Sequence, residues 1–333
     1  MADPPTQSVA DPTDDLFDRY TLPKIALAVI LAASLIGTWV TVTFAGGTVF
    51  DAVAKWAYFV ALGVLTGGLL WKHTFVRPAD LSTEADAYCA EMYDRFERIA
   101  AGALAVLAIS GSVVFAEYVG RISTDLVFSF GMGVLALVAL GVMIIWRNGS
   151  VTDQFRHPLG LLALGVALAL VAITALAEVA LRGFDPVAGL VRILHLLAFA
   201  VWVGGAVWNI FVAVPTGQKR PTVAVVRAAG QQLERFRWAV RFVIPTILLT
   251  GVYQAVDALG TTLTGYLGTI VGLAILAKVG FIGLLVVIFK LCPMWRACSP
   301  IEGVCELEDL GGSVPADTEP GNRDGDAEVA NSD

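Results

Sequence analysis

Long apolar segments, separated by short polar ones, recur along almost the whole chain. Each is about 20 residues long, the length that a helix needs to cross a hydrocarbon core of about 30 Å. Apolar and polar positions do not alternate within them, so they predict helices and not the strands of a membrane barrel. We therefore predict an all-α polytopic bundle of about eight transmembrane helices, near residues 24–45, 52–75, 97–118, 126–146, 158–181, 187–213, 238–259 and 268–290.

Composition supports a membrane protein. Of the 333 residues, 57% are hydrophobic and 15% are charged, whereas a soluble domain carries about 25% charged residues. The net charge of -7 lies mostly in two acidic tails, 1–23 and 292–333, which we predict to be disordered. An acidic, lysine-poor chain is typical of salt-loving organisms and disfavours nucleic-acid binding.

The distribution of Lys and Arg predicts the orientation. Basic residues gather at the N-terminal flank and in the loops after the second, fourth and sixth helices, including the linker 147–157. The alternate loops carry little beyond Lys55, Arg121 and Arg182. Because basic loops stay on the cytoplasmic side, we expect a multi-pass protein of the cell membrane with both termini cytoplasmic.

Two colinear matches indicate an internal duplication. The segment "KWAYFVALGVLTGGLLWKHTFV" from Lys55 aligns with "RILHLLAFAVWVGGAVWNIFVA" from Arg192, and "DRFERIAAGALAVLAISG" aligns with "ERFRWAVRFVIPTILLTG". The first match superposes Trp71 on Trp208 and Tyr58 on His195. We predict two four-helix repeats, 24–146 and 158–291, in the same orientation, with a substrate site between them. Compositional similarity of apolar helices is the alternative.

Small residues predict where the repeats pack together. Gly63 and Gly67 are four residues apart, as are Ala200 and Gly204. In lipid, helices associate where small residues let their backbones approach. The predicted packing glycines are Gly63, Gly67, Gly68, Gly204, Gly205 and Gly251.

A histidine lies inside the sixth apolar segment. His195 is about eight residues from the predicted outer end, hence about 12 Å into the membrane. Phe199 and Trp202 follow at helical spacing and share its face. Titratable groups in a membrane are costly and usually line a pathway, although ordinary packing also explains an aromatic wall. His73 and His157 fall at predicted cytoplasmic helix ends, where we expect them at the interface.

Carboxylates accompany His195 at the predicted outer end. Glu178, Glu117 and Asp257 each lie near a helix end, while Lys278 lies mid-helix, where an unpaired ammonium costs about 2.5–3.5 kcal/mol. We expect these carboxylates to reach or bracket Lys278; solvated helix ends and a structural ion pair are the alternatives. Further polar groups predicted near this pocket are Tyr58, Tyr253 and Gln254.

The residues provide no foundation for catalysis. The chain has no HExxH, CxxC or P-loop motif, so we predict neither an enzyme nor an organic cofactor. Cys292, Cys298 and Cys305 follow the last helix, and such soft sulfurs suit Cu(I), although their spacing matches no zinc pattern. Lipidation or an inert tail explains them equally well.

Residues 188–291 resemble the copper resistance protein D (CopD) family of polytopic membrane proteins. The resemblance lies in "RILHLLAFAVWVGG", "FVIPTILLTGVYQA" and "GTIVGLAILAKVGFIGLLVVI", and the first repeat is similar to the upstream helices of the family. It implies copper movement across a membrane. Tyr58 stands where a second histidine would fit, and no Met-rich or His-rich outer segment is present. The residues that match the family pattern are His195, Trp202, Gly204, Gly205, Gly251 and Lys278.

The leading hypothesis is therefore copper transport through a polar pocket between the repeats. His195, Glu178, Asp257 and Glu117 would admit the ion, Lys278 would balance charge, and the cysteine tail would receive the metal. The expected partners are the lipid bilayer, copper, and a copper-carrying protein on either side. A b-type haem protein for electron transfer and a non-transporting sensor or assembly factor are the alternatives.

Overall fold

The computed structural model describes residues 12–44, 46–76, 86–147, 154, 157–219 and 222–291. These ranges contain helices and no strand, and eight of the helices have the length and hydropathy of membrane spans. The prediction of an all-α polytopic bundle is confirmed. We number the eight helices α1 Pro12–Phe44, α2 Val49–Leu70, α3 Asp86–Tyr118, α4 Thr124–Ile145, α5 Pro158–Ala180, α6 Pro186–Val207, α7 Val223–Leu259 and α8 Ile270–Leu291.

Three helices begin well before their apolar segments. The helices α1, α3 and α7 have 33, 33 and 37 residues. The early turns of α3 and α7 carry buried side chains such as Met92 and Leu233, so these extensions pack within the bundle. The start of α1 at Pro12 places helix where the sequence predicted a disordered tail. Residues 292–333, with the three tail cysteines, and most of the linker 147–157 lie outside the described residues.

Local sequence signals set several helix starts. Thr48 and Asp51 form a capping box at α2, with each side chain bonded to the backbone N–H of the other. Pro158 and Pro186 occupy the first position of α5 and α6, where a missing N–H has no cost. These short-range signals place the polar residues that follow them at defined depths in the bundle.

The helices pack in matching pairs across the bundle. The central pair is α2 and α6, one from each predicted repeat, and each of them also packs against the helix that follows it. The outer pairs also correspond, because the first helix of each predicted repeat packs on the last helix of the other: α1 on α8, and α5 on α4. Within the described ranges the exception is α3 with α4, which pack closely while α7 and α8 do not.

Both central helices widen at the same aligned position. A π-helical turn spans Trp71–Phe75 after α2, and another spans Trp208–Ala213 after α6 and leads into a short helix, Val214–Lys219. The backbone N–H of each tryptophan is shared between the carbonyls of the two glycines before it. Asn209 Nδ2 donates to the Gly205 carbonyl at 2.8 Å. A side chain thus provides a hydrogen bond to a backbone carbonyl near the widened turn.

The glycines bring α2 and α6 into backbone contact. A Cβ on Gly67 would lie 2.7 Å from Gly204 Cα and would overlap the Ala200 carbonyl oxygen, and a Cβ on Gly204 would lie 2.6 Å from the Gly67 carbonyl carbon. Gly63 faces Phe199 and Ala200 one turn away. Only residues without a side chain allow this approach.

Aromatic rings fill the space beside the second glycine of each pair. A Cβ on Gly68 would strike the Phe96 ring, and one on Gly205 would strike the Phe236 ring. Each tryptophan contacts an aromatic ring of the other half. Trp71 packs against Phe236 at 5.8 Å, and Trp208 packs against Phe96 at 5.3 Å, between ring centroids. Residues that the sequence alignment makes equivalent therefore occupy corresponding places.

Candidate functional site

A group of buried charges lies at the predicted outer end of the bundle. Lys55, two turns into α2, is 1% exposed. Its Nζ donates to both carboxylate oxygens of Glu117 at 3.2 Å and pairs with Glu178 Oε1 at 3.1 Å. Arg121, at the edge of the group, lies 3.7 Å from Glu117. The ammonium thus sits between carboxylates from α3 and α5.

The carboxylate of Glu178 joins the two halves. It is 4% exposed and accepts from Arg192 Nε at 2.7 Å and from Arg192 Nη2. Arg192 Nη1 in turn donates to Gln254 Oε1 on α7 at 2.9 Å. One buried carboxylate therefore pairs with Lys55 of the first half and Arg192 of the second. We call Lys55, Glu117, Glu178, Arg192 and Gln254 the outer network.

Aromatic rings and hydroxyls surround the outer network. The Tyr118 ring lies 5.5 Å from Lys55 Nζ, and the Phe59 ring lies 5.7 Å from the Arg192 guanidinium carbon. The Thr174 hydroxyl donates its one hydrogen to the Leu170 carbonyl. Tyr58 is therefore the donor in its 2.7 Å hydrogen bond to Thr174 Oγ1. These groups exclude water, which strengthens each ion pair.

His195 lies one turn inward from Arg192 on the same face of α6. Its Nδ1 is 2.8 Å from Thr250 Oγ1, and the Thr250 hydroxyl donates to the Thr246 carbonyl. A hydroxyl has one hydrogen, so Nδ1–H is the donor and the lone pair is on Nε2. A Cβ on Gly251 would lie 3.8 Å from the ring. The imidazole is therefore held in the tautomer that carries its lone pair on Nε2.

The expected pairing of Lys278 with the carboxylates is wrong. Glu117 and Glu178 hold Lys55 and Arg192 instead, and Lys278 has no ion pair or hydrogen bond within the described part of the chain. Its Nζ packs over Gly37 of α1, where a Cβ would lie 2.8 Å away. The carboxylates face α2, so α8 does not present its lysine to them.

The other predicted site residues do not all converge. Gln254 belongs to the outer network and Trp202 is buried on α6. Asp257 is exposed near the end of α7, away from the ion pairs, and Tyr253 makes no hydrogen bond to the residues described. Among those residues no group of three His, Cys, Asp or Glu side chains is arranged to hold a metal ion. His195 and the carboxylates are thus not a ready-made metal site in this conformation.

A second polar group lies at the predicted inner end. Lys72 Nζ contacts Glu97 Oε1 at 3.4 Å and Gln154 Oε1 at 3.3 Å, and lies 4.5 Å from the Tyr93 ring centroid. Lys72, Glu97 and Gln154 line a cavity of about 50 Å³ with mainly apolar walls. His157 caps α5, and His73 is 3% exposed and packs on Gly160 at the same end of the bundle.

The sequence contained a signal for the missed cations. Lys55 and Arg192 are the first residues of the two aligned segments, and each stands one turn before Tyr58 or His195. Two cations at equivalent intramembrane positions require counter-charges. Lys55 lies close to the start of its helix, so the sequence alone also allows it to be assigned to a loop.

The chemistry available at the outer network is ion exchange. Each carboxylate can exchange the cation with which it is paired. The nearby imidazole can bind a proton or a metal ion through Nε2. No family model matches the chain, and no solved structure matches it. The chain is an integral membrane protein, and its described residues include eight helices suited to span a bilayer.

Proposed function

We propose that the protein is a membrane transport protein, that its substrate crosses between the two halves, and that this substrate is a copper ion. The observation that carries the proposal is the bridge made by Glu178, which pairs with Lys55 of one half and Arg192 of the other. Charged side chains inside a membrane are costly and mark ion pathways. A bundle with only a structural role would have glycine and apolar packing at this interface, as at Gly67 and Gly204.

The layout of the interface between α2 and α6 supports a route with two closures. The ion pairs of Glu178 link the halves at the predicted outer end, and the rings of Trp71 and Trp208 cross between them toward the other end. Either end opens when its ion pairs or ring contacts are replaced by others, since packed interfaces switch between discrete arrangements. A cation that neutralises Glu178 weakens the outer closure, so the substrate itself promotes entry.

The assignment of copper rests on the family resemblance and on His195. The ring is held by Thr250 with its lone pair on Nε2, and imidazole nitrogen with carboxylate oxygen is a donor set that Cu(II) accepts. The nearest carboxylates of the outer network are paired in this conformation, so copper binding requires Glu178 to release a cation. Affinity for copper should therefore depend on the outer network as well as on His195.

The two alternatives have less support. A haem between two histidines needs a second imidazole facing His195, but His73 and His157 lie at the opposite end of the bundle. A sensor or assembly factor has no evident need for a charge bridge between the halves. A Soret band in the purified protein would favour the first alternative, and absence of metal flux would favour the second.

The test is copper flux into liposomes that contain the purified full chain. We expect copper entry above that of empty liposomes, and a loss of at least tenfold in rate for His195→Ala and Glu178→Gln. His157→Asn is the matched control, because it removes a histidine at the opposite end and keeps a capping side chain. Folded protein without copper flux would refute the proposal, and an unchanged rate for His195→Ala would refute the role of His195.

A further inference from the structure

The ammonium of Lys55 occupies a cage of oxygen atoms from other helices. Three carboxylate oxygens lie 3.1–3.2 Å from Nζ, two from Glu117 and one from Glu178. The Tyr118 ring lies beside the ammonium, and its buried hydroxyl has no hydrogen-bond partner among the described residues. Carboxylate and phenol oxygens are also ligands for free metal cations.

The charge balance of the cage depends on Lys55. Lys55 and Arg192 carry two positive charges and Glu117 and Glu178 carry two negative charges, so these four side chains are neutral together, with the more exposed Arg121 at the edge beside Glu117. Without the ammonium, a negative charge and an empty space remain between the carboxylates. A buried charge of this kind is costly until a cation replaces it.

We propose that Glu117 and Glu178 form a binding site for a small cation that takes oxygen ligands, and that Lys55 occupies this site as a tethered substitute. Lys55 is about 9 Å from the start of α2 at 1.5 Å per residue, and its long flexible stem lets the ammonium move toward the outer surface. An arriving cation displaces the ammonium, and departure of that cation lets Lys55 close the site again. The inference rests on the proposed function for its place in a transport cycle, whereas the site itself is testable by binding.

The test compares the full chain with its Lys55→Ala variant in detergent. Thermal unfolding is followed in choline chloride and after addition of Na⁺ or Cu²⁺ at constant ionic strength. We expect the melting temperature of Lys55→Ala to rise saturably by at least 5 °C with one of these cations. The parent chain and Lys55→Arg should respond less than Lys55→Ala, because an arriving cation must first displace the side chain that fills their cages.

Two results would overturn the inference. One is a Lys55→Ala variant that responds to neither cation, and the other is a parent chain that responds as strongly as the variant. If Lys55→Ala does not fold in choline, its yield of monodisperse protein is measured after solubilisation with each cation. Recovery with Na⁺ or Cu²⁺ supports the site, and no recovery with either refutes it.

A double variant and the flux assay separate the remaining interpretations. Lys55→Met with Glu117→Gln keeps the charges balanced but removes one cage carboxylate, so it should fold in choline without responding to cations. A response in this double variant equal to that of Lys55→Ala would refute the cage. Cation binding by Lys55→Ala together with no copper flux by the parent chain would retain the cage and refute copper transport.

Discussion

Lys55 and Arg192 hold the two oxygens of a single carboxylate, that of Glu178, from opposite halves of the molecule. The two cations stand at aligned positions of the predicted repeats, yet they differ in their other partners. Lys55 is shared with Glu117 on the next helix, whereas Arg192 donates to Gln254. The acidic residue aligned with Glu117 is Asp257, which is exposed. Asp257 therefore does not give Arg192 the contact that Glu117 gives Lys55, and Glu178 provides the carboxylate for Arg192 instead.

Loss of the Glu178 charge should weaken the whole bundle. In Glu178→Gln, Arg192 loses its buried counter-charge and Lys55 loses one of two, so we expect a loss of about 3–5 kcal/mol in the free energy of unfolding. The measurement is denaturant or thermal unfolding in detergent. Asp257→Asn is the control and should change stability by less than about 0.5 kcal/mol, because Asp257 is exposed. Equal effects of the two substitutions would contradict the bridge.

Lys55 and Lys278 should respond oppositely to neutralisation. Lys55→Met leaves two buried carboxylates short of a counter-charge and should cost about 3–5 kcal/mol in choline buffer. Lys278→Met removes a charge with no ion-pair partner in the described ranges, and its unbranched side chain fits over Gly37. We expect no loss of stability, and a gain of up to about 3 kcal/mol from the avoided burial. A Lys278→Met protein as unstable as Lys55→Met would show that Lys278 has a counter-charge.

Methyl groups at the contact between α2 and α6 should disrupt the fold. Gly67→Ala and Gly204→Ala each place a Cβ against backbone atoms of the other helix, which cannot move aside as a side chain can. We expect a cost of about 3 kcal/mol or more, at the upper end of overpacking effects, seen as loss of monodisperse protein on size exclusion. Gly165→Ala in α5 is the control, because nothing lies within 4 Å of its Cβ. Alanine there should be neutral or slightly stabilising.

The aligned tryptophans should differ in their tolerance of phenylalanine. Trp208 Nε1 donates to Gln232 Oε1 at 3.0 Å, whereas Trp71 Nε1 has no hydrogen-bond partner among the described residues. Trp208→Phe leaves the buried Gln232 oxygen unpaired and should cost about 1–3 kcal/mol more than Trp71→Phe. Melting temperatures of the two variants provide the comparison. Adding Gln232→Leu to Trp208→Phe should recover most of the difference, and failure to do so would assign the loss to packing.

Part of the candidate site was predictable from local pattern. The depth of His195, Glu178 and Glu117 follows from their distance to a helix end. The pairing did not follow, because depth leaves the rotation of each helix and its lateral neighbours undetermined. Lys278 and Lys55 are both lysines in apolar helices, and only the packing of α2 beside α3 and α5 brings Lys55 to the carboxylates.

The sequence by itself determined the membrane location, the number of spanning helices and the positions at which glycine permits close approach. These properties depend on hydrocarbon thickness and side-chain size, which act along one helix at a time. Only the tertiary structure decided which cation neutralises which carboxylate, where the ring of His195 finds its acceptor, and that His73 is buried. Such contacts join residues that are distant in the sequence, as His195 and Thr250 are at 55 positions apart, through short-range forces that act only once the helices are side by side.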